Sequence, residues 1–140
     1  MKSINIKLSN VNLSLENFSL SHIESQAAVL RQQIFEKIIR QIFASIEKQA
    51  VSNARCSCGS YLVKNGRANR TIQTLGGKVT YPRIRMICKA CKKNHFVLDD
   101  AIGLPSGIKH STRATETLLD LATDLPYAKT SRYLRKARSH

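Results

Sequence analysis

Two pairs of cysteines, Cys56-x-Cys58 and Cys88-x-x-Cys91, stand 29 residues apart in a chain of 140, and they restrict the fold more than any other feature of the sequence. Paired thiols of this kind can be disulfides, a redox dithiol or a metal clamp. The first fifteen residues, "MKSINIKLSNVNLSL", lack the continuous apolar stretch of a secretory leader, and no run approaches the roughly 18 apolar residues of a membrane span. The chain therefore reads as cytoplasmic, where thiols stay reduced and close pairs point to metal. The sequence between the pairs supplies the geometry. "NRTIQTL", Gly76-Gly77 and "KVTYPRIRMIC" read as a hairpin that returns the chain to the first pair. Gly59, directly after Cys58, can take the positive φ of a knuckle turn. Cys56, Cys58, Cys88 and Cys91 can then supply four sulfurs at about 2.3 Å from a tetrahedral zinc ion. The expected product is a structural zinc ribbon in which metal binding stands in for the large apolar core this span lacks. His95, four residues past Cys91, is a further donor, but four sulfurs already fill the shell. A filled shell has no position for a metal-bound water, which disfavours hydrolytic chemistry.

The chain carries 23 Lys and Arg against 9 Asp and Glu, a net charge of +14. Charge of that size speaks of polyanionic partners, nucleic acid first. It is concentrated between residues 51 and 95, which hold ten basic side chains and no acid. The candidate phosphate contacts there are Lys64, Arg67, Arg70, Lys78, Arg83 and Arg85. Tyr81, Arg83 and Arg85 are two apart and are expected on one face of a strand. Contacts of this kind make binding strongly salt-dependent; the competing reading is a set of solvated strand positions.

The flanks are helical, which makes the expected class α+β. Ile4, Ile6 and Leu8, then Val11, Leu13 and Leu15, alternate at period two with a break at Asn10, as in an interrupted strand. Ser21 and Glu24 fit a capping box, and Ile23, Ala27, Leu30, Ile34, Ile38, Ile42 and Ile46 then define a helix to about Ala50. Phe35, Ile39 and Phe43 widen its apolar stripe. Either the rest of the chain covers that stripe, or a second copy does, giving a homodimer through the N-terminal helix. Toward the C-terminus, Ser111 or Thr112 caps a helix whose apolar face is Ala114, Leu118, Leu121, Ala122 and Leu125. Pro126 ends it, and Tyr127 to Arg138 form a basic second helix bearing Lys129, Arg132, Arg135 and Lys136. Together they make a partial helix-turn-helix. Glu116, Asp120 and Asp124 recur every four residues on an exposed face where like charges repel, so they read as solvated and not catalytic. Asp99 and Asp100 read as loop or capping residues. The expected organisation is residues 1–52 as a strand segment and long amphipathic helix, 53–98 as the four-cysteine zinc ribbon, and 99–140 as a helical DNA-binding region, truncated at its end.

The ordered segments "CSCGSYLVKNGR", "RTIQTLGGKVTYPRIRMICKAC", "FVLDDAIGLPSGIKHS" and "LLDLATDLPYAKTSRYL" resemble the N-terminal region of a group of bacterial insertion-sequence transposases of the DDE type. In that group a "TLxGxVxxxRxRxxC" hairpin leads to a second cysteine knuckle and then a "LDxxxGLP" link. The resemblance spans roughly Cys56 to Leu134. It implies that ribbon and helices engage transposon-end DNA, with the four cysteines as knuckle ligands and Arg83 and Arg85 on the basic strand. The first knuckle is one residue shorter than the pattern, and the acidic triad of the nuclease domain would lie beyond His140. The expected function is thus a cytoplasmic, nucleoid-associated DNA-binding module with structural zinc, no membrane partner, no small-molecule substrate and no nuclease activity of its own. The alternative is a zinc-ribbon adaptor for RNA or for a protein of the transcription or translation machinery.

Overall fold

The structure, a computed structural model, describes residues 3–8, 13–124, 132, 135 and 136. Helix α1 spans Leu20–Ser52, and strands β1 (Leu62–Thr74), β2 (Gly77–Cys88) and β3 (Asn94–His95) follow. Helices α2 (Val97–Ala101) and α3 (Thr112–Asp124) come next. The three strands form one antiparallel sheet in the order β1-β2-β3.

Helix α1 has 33 residues, about 50 Å of length. It starts at Ser19, earlier than the Ser21–Glu24 pattern suggests: the Ser19 hydroxyl accepts from the His22 amide at 3.3 Å while the Asn17 side chain accepts from the Ser19 amide and hydroxyl. Phe35, Ile39, Phe43 and Ile46 of α1 pack on a core of Ile72, Val79, Tyr81 and Leu98, joined by Ile102 and Leu104. The Phe43 ring meets Tyr81 edge-on, with centroids 4.7 Å apart. The wide stripe is thus covered, at its C-terminal half, by the hairpin and α2.

The same helix closes an open sheet edge. β3 reaches only Met86 and Ile87, so the edge of β2 away from β1 is left without a strand partner from Lys78 to Ile84. There the Gln32 amide donates to the Lys78 carbonyl at 3.0 Å, the Thr80 N–H donates to Glu36 at 3.3 Å and the Ile84 N–H donates to Glu47 at 2.5 Å. Pro82 takes the remaining outward position, where it has no N–H to satisfy. An edge left bare would be a template for another chain. The helix also explains the two glycines of the turn: a Cβ on Gly76 would lie 2.5 Å from the Phe35 ring, and Gly77, at φ +123°, has the Gln32 side chain against it.

Two expectations need correction. The period-two lead forms no strand among the described residues; the Lys7 amide and carbonyl bond instead to the Gln41 side chain at 2.9 and 2.6 Å. The β2 edge that such a strand could have joined is taken by α1. Strand β1 starts at Leu62, well before "NRTIQTL", and carries a bulge where the register shifts between Lys64 and Arg67, with Gly66 at φ +82°. The buried residues of β2 are odd-numbered at Val79 and Tyr81 but even-numbered at Met86 and Cys88. Because successive side chains face opposite ways, the two ends of the sheet are covered on opposite faces, by α1 and α2 at the turn and by the cysteine knuckles at the other end. Of the second C-terminal helix, Arg132, Arg135 and Lys136 are helical, and the rest, Lys129 included, lies outside the described residues. No helix among the described residues is long and apolar enough to cross a membrane.

Candidate metal centre and basic face

Each cysteine pair is bent back by its own backbone. In the first knuckle the Cys56 amide donates to the Ser60 carbonyl and the Gly59 amide to the Cys56 carbonyl, at 3.0 and 2.9 Å. Gly59 sits at φ +85°, as the turn demands. In the second, the Lys92 amide donates to the Cys88 carbonyl and the Cys91 amide points at the Cys88 sulfur, with Lys92 itself at φ +60°. The pairing of β1 with β2 sets Leu62 opposite Cys88 and so brings the two knuckles together.

The result is a cluster in which the four sulfurs, all free thiols, lie within 4.8 Å of one another. Cys56 and Cys91 are 3.4 Å apart and Cys58 and Cys88 3.5 Å apart. A tetrahedron with arms of about 2.3 Å has edges of about 3.8 Å, so the cluster fits one thiophilic ion with little movement. The Ser60 amide, its hydroxyl and Cys88 hold the Cys58 thiol down at about 6 and the Cys58 amide lowers Cys56, whereas, against the lowering by the Lys93 amide, the neighbouring Cys56 and Cys88 sulfurs push Cys91 up to about 11, so the four thiols do not ionise alike. His95 of β3 brings its Nε2 to 3.5 Å from the Cys56 sulfur. It is placed to hydrogen-bond a ligand from outside the sulfur set, the arrangement by which outer groups orient metal ligands.

The basic residues divide into two groups. Lys64, Arg67 and Lys78 are exposed on the strands, and Arg85 is half-buried. Arg70 and Arg83 turn inward. Arg70 is 2.9 Å from the Asp99 carboxylate, Arg83 also pairs with it, and their side chains are only 9% and 17% exposed. Arg70 further donates to the carbonyls of Leu104, Pro105 and Ile108, so it ties down the loop after α2. Arg83 stacks on the Phe96 ring at 3.7 Å. The reading of Arg70 and Arg83 as surface phosphate contacts is therefore revised, and Tyr81 belongs to the core instead of a basic face. Tyr81 donates to Asp99 at 3.1 Å, and burial together with that carboxylate pushes its phenol up to about 12. Asp99, read from the sequence as a loop or capping acid, is the buried acceptor of all three donors. Arg132, Arg135 and Lys136 are exposed.

The sequence pattern of an uncharacterised protein family, UPF0236, matches residues 13–140. The chain belongs to that family. The match covers both knuckles, the sheet and helices α1, α2 and α3, so the cysteine cluster and the basic strands lie inside the UPF0236 region. No curated protein and no solved structure matches this UPF0236 chain.

Proposed function

We propose that this member of UPF0236 is the DNA-binding module of a transposase-like protein, built on a structural zinc ribbon with four cysteine ligands. The observation that carries the reading is the acid-free run of ten Lys and Arg between residues 51 and 95, of which the described acids pair only with Arg70 and Arg83. The others remain to meet phosphate. Zinc is the ion we assign because four soft thiolates at tetrahedral spacing suit it best. With four protein ligands its part is to hold the knuckles against the sheet.

In this reading Lys64, Arg67, Lys78 and Arg85 contact the duplex backbone, and Arg132, Arg135 and Lys136 extend the basic surface. The motif order from Cys56 to Leu134, which resembles that of insertion-sequence transposases, suggests transposon-end DNA as the target. No nuclease role is assigned to the chain's acids: Asp99 is saturated by Arg70, Arg83 and Tyr81, while Glu116 and Asp120 are exposed along α3. The adaptor alternative needs α1 as a docking surface, and much of α1 is spent on the edge of β2.

Competition binding of zinc-loaded protein to duplex DNA, single-stranded DNA and structured RNA tests the proposal. Duplex preference is expected, and with about five phosphates neutralised log K should fall against log salt with a slope of about −4.5. A slope near zero, or a preference for RNA, rejects it.

A further inference from the structure

The segment just before α3 is joined to the hairpin by backbone. The Gln73 amide donates to the Lys109 carbonyl and the Ser111 amide donates to the Gln73 carbonyl, both at 2.8 Å, so residues 109–111 run beside β1 like a short parallel strand. Between this segment and the sheet lies a cleft of about 440 Å³ lined by Thr71, Gln73, Lys78, Lys109 and His110. Thr71 and Gln73 alternate on β1 and pair with Thr80 and Lys78, so they share the sheet face opposite the Ile72–Val79 core.

The chemistry of the lining is that of an anion site. Both charged side chains are lysines, no carboxylate lines the cleft, and neither lysine is in an ion pair among the described residues. The His110 ring forms part of the wall; its Nδ1 is turned away from solvent and has no hydrogen-bond partner, so Nε2 is the ring nitrogen left to meet a ligand in the cleft. The position of residue 110 is already fixed by the backbone bonds to Gln73 on either side of it, so the imidazole is not needed as a staple.

We propose that this cleft seats a backbone phosphate of the bound nucleic acid, held by Lys78 and Lys109 with His110 and Thr71 as hydrogen-bonding wall. The inference rests on the DNA-binding reading and makes the 109–111 segment the link between ribbon and α3 in the complex. A tightly held phosphate there would fix α3 relative to the duplex, whereas the lysines of the second knuckle would add only diffuse attraction.

The probes are inorganic phosphate and a DNA duplex, with amide NMR of the zinc-loaded full chain as readout. Phosphate should shift the amides of Thr71, Gln73, Lys109 and His110 saturably. Lys109→Ala keeps the carbonyl that bonds Gln73, so it should fold and load metal normally; it should weaken both ligands about tenfold and reduce the duplex salt slope by about 1. His110→Gln should weaken phosphate with little change in that slope. Shifts spread over all basic residues without saturation would overturn the cleft. Saturable phosphate binding with duplex affinity unchanged in Lys109→Ala would overturn the backbone assignment in favour of a free phosphate compound. If duplex binds tightly but phosphate does not occupy the cleft, this inference fails while the DNA-binding reading stands; if phosphate binds and duplex does not, the failure lies in that reading.

Discussion

Asp99 is 6% exposed and accepts from Tyr81, Arg70 and Arg83 at once. An isolated carboxylate at that depth would be costly, and so would two guanidinium groups deprived of it. Asp99→Ala should therefore lose about 3–5 kcal/mol of stability, read as a lowered urea midpoint, and should loosen residues 104–108 that Arg70 restrains. If the variant unfolds at the wild-type midpoint, the cluster is not a stabilising element. At this scale the cysteines were legible and Asp99 was not. Four thiols in two short spacings announce their chemistry locally, whereas "LDD" shows two adjacent acids and nothing about which one turns inward. Its partners lie 16, 18 and 29 residues upstream, in a segment where the charge count was readable but the direction of each guanidinium was not.

Helix α1 and the hairpin are fitted to each other through small residues and backbone. Gly76→Ala would drive a methyl group into the Phe35 ring, which lies 2.5 Å from the Cβ position. Overpacking of this kind costs about 1–3 kcal/mol. Phe35→Leu in the same chain should recover part of that loss, and a double-mutant cycle measures the coupling; strict additivity would mean that helix and turn do not touch as described. The existence of α1 was plain from its period, but its orientation was not, because Ile23–Ile46 and Phe35–Phe43 are both apolar rows. Gln32, Glu36 and Glu47 were illegible for a related reason. A polar residue on a helix pattern reads as facing water, and here its partner is the main chain of β2. The period-two lead misled in the opposite sense, since alternation describes a side-chain rhythm and cannot supply a free sheet edge to join.

Across the whole molecule the core at the hairpin turn and the sulfur cluster at the far end are separate anchors on one pair of strands. In metal-loaded protein, removing the ion with a chelator should thus raise amide exchange first at Leu62–Lys64, Met86–Cys88 and Asn94–His95, while Ile72, Val79 and Tyr81 stay protected under α1. Uniform loss of protection would show a single cooperative unit instead. The α+β class and the returning hairpin could be read from the chain, because breakers and cysteine spacing are local signals. The switch of covered face within β2 could not. That switch has a consequence for assembly. A slip of β2 by a single residue would send every side chain to the wrong side, lifting Tyr81 out from beneath the helix and Cys88 away from the other sulfurs together. Helix docking and closure of the sulfur cluster therefore proofread the same alignment, and a misthreaded hairpin can complete neither.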